Sequence, residues 1–396
     1  MPAKKWLNRN VAAMGFTSLF SDASHEMATA TLPSFLTELV GSVAAPQLLG
    51  LITGLSDASS SFVKIFSGWL SDKFRRRKPL VTLGYFLTGT FVGIIAFARN
   101  WFEVLTCRVL AWVGRGTREP PRDALLSESV DKKYYGHAFG FHRAMDTLGA
   151  IVGPLIAFFL IPLVGFRNIF LLSFIPGLLA VLTIVMYVKE RAKKHRGKIK
   201  GLIGDVKALP KDFKLFLFIM FVFGIGNFNR TLLLLRVQEV VTPVSGIIVA
   251  GSMAVLFYTI RNIAQAAADY GVGALSDRIG KKALLAFLGF FLFGVVSLGF
   301  VYANTNLFYF VFLFILSGIS AATYTALEKA YAADLLPSNI RGTGYGVLHT
   351  VDGVGDFVSS FVVGSLWVMV SPNVAFIYGA ALSFIATFLL LGIRKM

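Results

Sequence analysis

Three ionisable residues, Asp22, His25 and Glu26, fall inside one long apolar stretch near the start of the chain. Positions 22 and 26 are four apart, so on a helix they share a face. Two carboxylates one turn apart in a low-dielectric medium do not both ionise readily. A carboxyl poised between its two states is what proton coupling needs, and Asp22 and Glu26 are the candidates for it. Further ionisable residues interrupt other apolar stretches: Asp57 and Lys64, Arg108, Arg143 with Asp146, Arg230, Arg261, Glu328, and His349, Asp352 and Asp356 along one helical face. Each costs about 3 kcal/mol inside a bilayer and is a functional candidate by default. Arg143 and Asp146, three apart, can pair, and Lys64 can snorkel to the membrane surface. His25, Asp57, Arg143, Asp146, Arg230, Arg261, His349, Asp352 and Asp356 are the candidate substrate contacts. Arg108, Arg230 and Arg261 suit an anionic group on a solute or the carboxylates themselves. The same carboxylates and imidazoles are hard ligands that suit a divalent metal, which leaves a carrier of metal or metal chelate as the alternative. Cys107 is the single cysteine, so neither an internal disulfide nor a Cys-based metal site can form.

The elements that carry these residues are membrane helices. The 396-residue chain is 56% hydrophobic and 15% charged, with 38 Phe and 38 Gly; a soluble domain carries roughly a quarter charged residues. Twelve segments, at about 11–39, 48–72, 79–98, 101–118, 136–164, 167–188, 213–237, 246–275, 281–302, 306–333, 342–368 and 373–393, approach or exceed the roughly 20 apolar residues of a span. Pro120 and Pro121 are expected to end the fourth. The net charge of +17 sits in alternate connections: Lys73 to Lys78, Arg115 to Lys133, the loop 189–212, and Arg278 to Lys282. The opposite connections GSVAAPQ, TPVSG, ANTN and VSPN carry none. This is the positive-inside pattern. It accounts for the basic balance without nucleic acid and puts both termini and the central loop in the cytoplasm. The basic start, MPAKKWLNRN, leads into an apolar run without a small-residue cleavage site, so the first span is read as retained. The basic central loop can also meet anionic lipid heads.

The chain repeats itself. Gly68–Lys78 (GWLSDKFRRRK) returns as Gly273–Lys282 (GALSDRIGKK), and AFGFHRAMDTLG (138–149) returns as GYGVLHTVDGVG (344–355). Asp146 falls on Asp352, Gly149 on Gly355 and Glu128 on Asp334. Parallel repeats of this kind build one class of transporter fold. The loop after the second span resembles the signature of the major facilitator superfamily of secondary transporters, Gly-x-x-x-Asp-Arg-x-Gly-Arg-Arg-Lys. Gly68, Asp72, Lys73, Arg76, Arg77 and Lys78 match it, with Arg75 where the family has Gly; the second copy, with Asp277, Arg278, Lys281 and Lys282, keeps Gly280. Arg108 resembles the family's helix-4 arginine, and Gly149-x-x-x-Gly153-Pro154 resembles a motif of its proton-exchanging exporters.

The resemblance implies an all-α membrane protein of twelve transmembrane helices in two pseudo-symmetric six-helix bundles. The bundles are residues 1–188 and 213–396, joined by the basic linker 189–212. It implies a carrier rather than an enzyme, without a cofactor, monomeric, in the cytoplasmic (inner) membrane. Its partners would be a small-molecule substrate, protons and the lipid bilayer. Gly68, Asp72, Lys73, Arg76, Arg77, Lys78, Asp277, Arg278 and Glu328 would form a cytoplasmic gate, and Arg108 would join Asp22 and Glu26 in proton coupling. The expected activity is proton-coupled antiport of a small polar or charged organic solute by alternating access, because both signs of charge in the cavity disfavour a purely hydrophobic cargo.

Overall fold

A computed structural model describes residues 6–74, 76–131, 134–190, 209–336 and 341–392. Among them all regular structure is helical. In chain order the rods are α1 Arg9–Val40, α2 Ala45–Phe74, α3 Lys78–Ile94 with a 3-10 turn Ile95–Phe97, and α4 Trp101–Glu128. Tyr135–Tyr187 is broken by Gly165 at φ 75°, which separates α5 (135–164) from α6 (166–187). The seventh rod, α7, begins as Lys211–Gly224 and resumes at Thr231. Gly246, at φ 78°, divides it (to 245) from α8 (247–279). Then come α9 (281–301), α10 Leu307–Leu335, α11 Arg341–Met369 and α12 Pro372–Gly392. Gly41, between α1 and α2, also has positive φ, 82°. An L side chain is strained there, so Gly41 and Gly246, which are 205 residues apart, each supply the positive φ at the corresponding helix connection of their copy of the repeat.

Among the described residues seven helices are long and apolar enough to cross a membrane, and the Tyr135 and Thr231 helices each count once among them. The rods α1, α2 and α4 are absent from that group. Their sequences carry the ionisable residues, which lower their hydropathy although most of their surface is apolar or small.

Two expectations about helix ends are corrected. Pro120 and Pro121 lie inside α4, which runs to Glu128. Proline at 120 removes the N–H that Gly116 O would accept from. Ser67 of α2 supplies the replacement, donating to Gly116 O at 2.8 Å. Hydroxyls that re-satisfy freed carbonyls are how a membrane helix survives an internal proline. Conversely, the seventh rod is not continuous across 213–237. Residues 225–230 are non-helical. Ser359 of α11 donates to the Asn227 carbonyl and Ser360 accepts from the Asn229 amide, each at 3.2 Å. Asn229 Oδ1 caps the restart by accepting from the Thr231 amide at 3.0 Å.

The described chain forms two compact units. One contains the described residues of 1–40, 55–196 and 251–259; the other contains those of 41–54, 197–250 and 260–396. In the first, α1 lies in backbone contact with α5: a Cβ added to Gly149 or Gly153 would collide with Leu19 O or Ala23 O. In the second, phenylalanines fill the interior, with Phe223 stacked on Phe290 at 4.1 Å and Phe300 on Phe376 at 5.6 Å. Gly355 of α11 faces Gly224 of α7 as closely, its added Cβ 2.9 Å from Gly224 Cα.

Candidate functional site

The polar residues of α1 are covered by side chains of α4 and α8, Trp112 against His25 and Tyr258 against Glu26. His25 is 2% and Glu26 7% exposed, while the side chain of Asp22 keeps 20%. His25 Nδ1 lies 2.9 Å from the Ser21 carbonyl and 3.4 Å from Asp22 Oδ1. Its Nε2 lies 3.5 Å from Glu26 Oε1. A neutral imidazole has one N–H. If Nδ1–H is spent on Ser21, Nε2 presents a lone pair to the carboxyl, and a bond between them then needs a proton on one side or the other. One mobile proton can therefore bridge His25 and Glu26. The other carboxyl oxygen, Glu26 Oε2, accepts from Tyr258 Oη at 2.5 Å. Tyr258 belongs to α8, within the part of that helix (251–259) that joins the first unit.

The cation of this site comes from α4. Arg108 is 2% exposed and its Cζ lies 3.4 Å from the centre of the Trp112 ring. It donates to Thr29 Oγ1 at 2.9 Å, and Thr29 donates to the His25 carbonyl at 2.7 Å. Trp112 donates to Asp57 Oδ1 of α2 at 2.6 Å and meets the His25 ring edge-on at 6.1 Å. Asp57 is thus engaged with the indole. One turn on, Arg115 donates to Glu119 at 2.8 Å, and Glu119 pairs with Lys64 at 2.7 Å.

A second polar group lies beside the first. Asp146 of α5 accepts from the Ser18 hydroxyl of α1 and faces His142 Nδ1 at 3.6 Å, whereas Arg143 is exposed. Arg118 is fully buried with its Cζ 4.4 Å from the Tyr85 ring centre. In the second unit Arg261 donates to Ser317 at 3.3 Å and Gln265 at 3.1 Å. Asp352 faces Tyr324 Oη at 3.4 Å and His349 Nδ1 at 3.8 Å. Glu328 is 3% exposed, Asp356 is half-buried, and Arg230 ends the non-helical break of α7. Among the described residues no three His, Cys, Asp or Glu converge to hold a metal ion.

The loop motif is tied down within each unit. Arg77 pairs with Glu128 at 3.2 Å, and Lys281 pairs with Asp334 at 2.8 Å. The two acidic partners are the positions that the repeat superimposes. Gly280 has φ 97°, which accounts for glycine in the second copy. Lys78 donates to the Val185 and Val188 carbonyls at 2.9 and 2.7 Å. Arg76 is exposed, and a Cβ on Gly68 would rest 3.5 Å from Pro120. Arg75 and the side chains of Asp72, Lys73, Asp277 and Arg278 lie outside the described residues.

Sequence reasoning missed Tyr258, Trp112 as a stacking partner, and Glu190, whose carboxylate accepts from the Arg77 and Lys78 amides at 2.5 and 3.3 Å. Trp112 had a signal, standing four residues after Arg108. Tyr258 had none, because its partner is distant in sequence.

The family model described as Major Facilitator Superfamily matches residues 14–257 and 245–395. An uncharacterised MFS-type transporter of Methanocaldococcus jannaschii is 36% identical over 393 residues, covering 97% of this chain and 95% of its own. A multi-drug resistance efflux pump of Streptococcus pneumoniae is 27% identical over 287 residues, 71% of this chain and 70% of the pump. Among solved structures, that of a mutant of the nucleoside transporter NupG is similar with a TM-score of 0.82 at 15% identity, over 98% of this chain and 100% of that one.

Proposed function

The chain belongs to the major facilitator superfamily, and on that premise we propose that it is a proton-coupled antiporter exporting a small polar or charged organic solute. The observation that carries this reading is the buried Asp22–His25–Glu26 group, with Glu26 held between His25 and Tyr258. A carboxyl in that setting has a donor for its ionised form and an imidazole that can take or return its proton. Protonating Glu26 changes the net charge of the group to which Arg108 is linked through Thr29 and the His25 carbonyl, and a solute bearing negative charge draws on the same guanidinium. Proton and solute then exclude one another, which is the logic of exchange. The efflux pump among the relatives supports the export direction.

In this reading the halves 1–188 and 213–396 rock about a midplane site, and the linker 189–212 and both termini lie in the cytoplasm. The protein sits in the inner membrane as a monomer. Asp72 and Asp277 act in the gate from the ends of α2 and α8, next to the segments that Arg77–Glu128 and Lys281–Asp334 hold.

The test is reconstitution in liposomes with an imposed pH gradient and a panel of anionic, zwitterionic and cationic solutes. The expected result is solute movement driven by the gradient. Flux that ignores the gradient would overturn the coupling, and gradient-driven movement of divalent metal alone would overturn the substrate class.

A further inference from the structure

We infer that the start of α3 carries a binding groove for one anionic phospholipid. A cavity of about 690 Å³ opens there, with Arg76, Lys78 and Glu190 at one end and Leu83, Phe86 and Val181 along it. That volume is in the range of ligand pockets. All of these residues lie within the first compact unit.

The lining is divided as a lipid is divided. Leu83 is 47% and Phe86 50% exposed, on the apolar face of a membrane helix, where an acyl chain would lie. At the other end the charges are unequal in their availability. Arg77, the next residue, is spent on Glu128. Lys78 gives two of its donors to the last carbonyls of α6 and keeps a third, since an ammonium has three. Glu190 is the acid of the groove, and its two oxygens accept the Arg77 and Lys78 amides at the N-terminus of α3. Arg76 has no ion-pair partner among the described residues and is exposed. A guanidinium offers bidentate donors in the geometry of a phosphate. The groove thus presents one uncommitted arginine and part of a lysine above an apolar channel, which complements an anionic headgroup with its acyl chain and not a free anion. It adjoins the loop motif, so a bound lipid would touch the segment that Arg77 and Lys78 anchor.

The experiment needs no transport and so stands apart from the coupling proposal. The full-length protein is purified in detergent, given equal phosphatidylglycerol and phosphatidylcholine, and its retained lipid measured by native mass spectrometry. Wild type should retain phosphatidylglycerol preferentially. Arg76→Gln should lower that retention about 5-fold, the value of roughly one surface cation toward an anionic lipid, and Arg76→Lys should restore part of it. Leu83→Trp, which fills the channel without changing charge, should lower it too. Lys211→Gln, which removes an exposed cation elsewhere, should leave it unchanged. Equal retention of both lipids would overturn the proposal, as would equal losses in Arg76→Gln and Lys211→Gln. So would displacement of the lipid by inorganic phosphate alone, or indifference to Leu83→Trp.

Discussion

Tyr258 donates its hydroxyl to Glu26 Oε2 at 2.5 Å, joining α8 to α1 inside one compact unit. Both residues are buried, Tyr258 completely. Two residues 232 positions apart therefore decide between them what surrounds one carboxyl. Tyr258→Phe should cost about 1–3 kcal/mol, the penalty of leaving a buried polar group without its partner. In the Glu26→Gln background the same change should cost less, because the charge-assisted part of the bond is already gone. Thermal unfolding of the four proteins in the cycle measures the coupling.

Arg108 Cζ lies over the Trp112 ring, 3.4 Å from its centre. An ammonium cannot reproduce a planar stack. Arg108→Lys should therefore impair transport nearly as much as Arg108→Ala, although it keeps the charge. Trp112→Phe preserves an aromatic face but removes the donor to Asp57, and should cost about 1 kcal/mol in stability. Parallel flux and unfolding measurements separate the two.

Glycine at 149 and 153 lets α1 and α5 touch through their backbones. Gly149→Ala should force the rods apart, costing about 1–3 kcal/mol for overpacking. Gly140→Ala, where an added Cβ meets nothing within 4 Å, should be neutral or stabilising. Unfolding temperatures of the two variants check the contrast, and equal shifts would contradict it.

Ser67 answers for the carbonyl that Pro120 frees. Ser67→Ala should destabilise the protein by about 1–3 kcal/mol. In a Pro120→Ala background, where the restored backbone N–H can again donate to the Gly116 carbonyl, the same substitution should cost less. A double-mutant cycle by thermal unfolding reads the difference.

The sequence already displayed much of this. Apolar segment lengths located the rods, and the recurrence of the Gly68 motif at Gly273 announced the duplication that Gly41 and Gly246 repeat in their positive φ. Family membership was legible in the loop after α2. Along the chain, Asp22, His25 and Glu26 stood out because charge is expensive in lipid, and they do share one buried cluster. What local pattern could not supply was tertiary compensation. Pro120 reads as a helix end until Ser67 is known to face it. The break at 225–230 looks like continuous apolar helix until Ser359 and Ser360 are seen to hold its backbone. Spacing pointed from Asp146 to Arg143 on its own helix; it could not point to Ser18, which reaches Asp146 because α1 packs against that side of α5.

The most direct test of the central claim compares two modes of transport in proteoliposomes carrying Glu26→Gln. Solute-for-solute exchange needs the binding site but no net proton movement, while uphill transport driven by a pH gradient needs the titrating carboxyl. The account predicts that Glu26→Gln keeps exchange and loses gradient-driven accumulation. Gradient-driven accumulation at the wild-type level in that variant would contradict it.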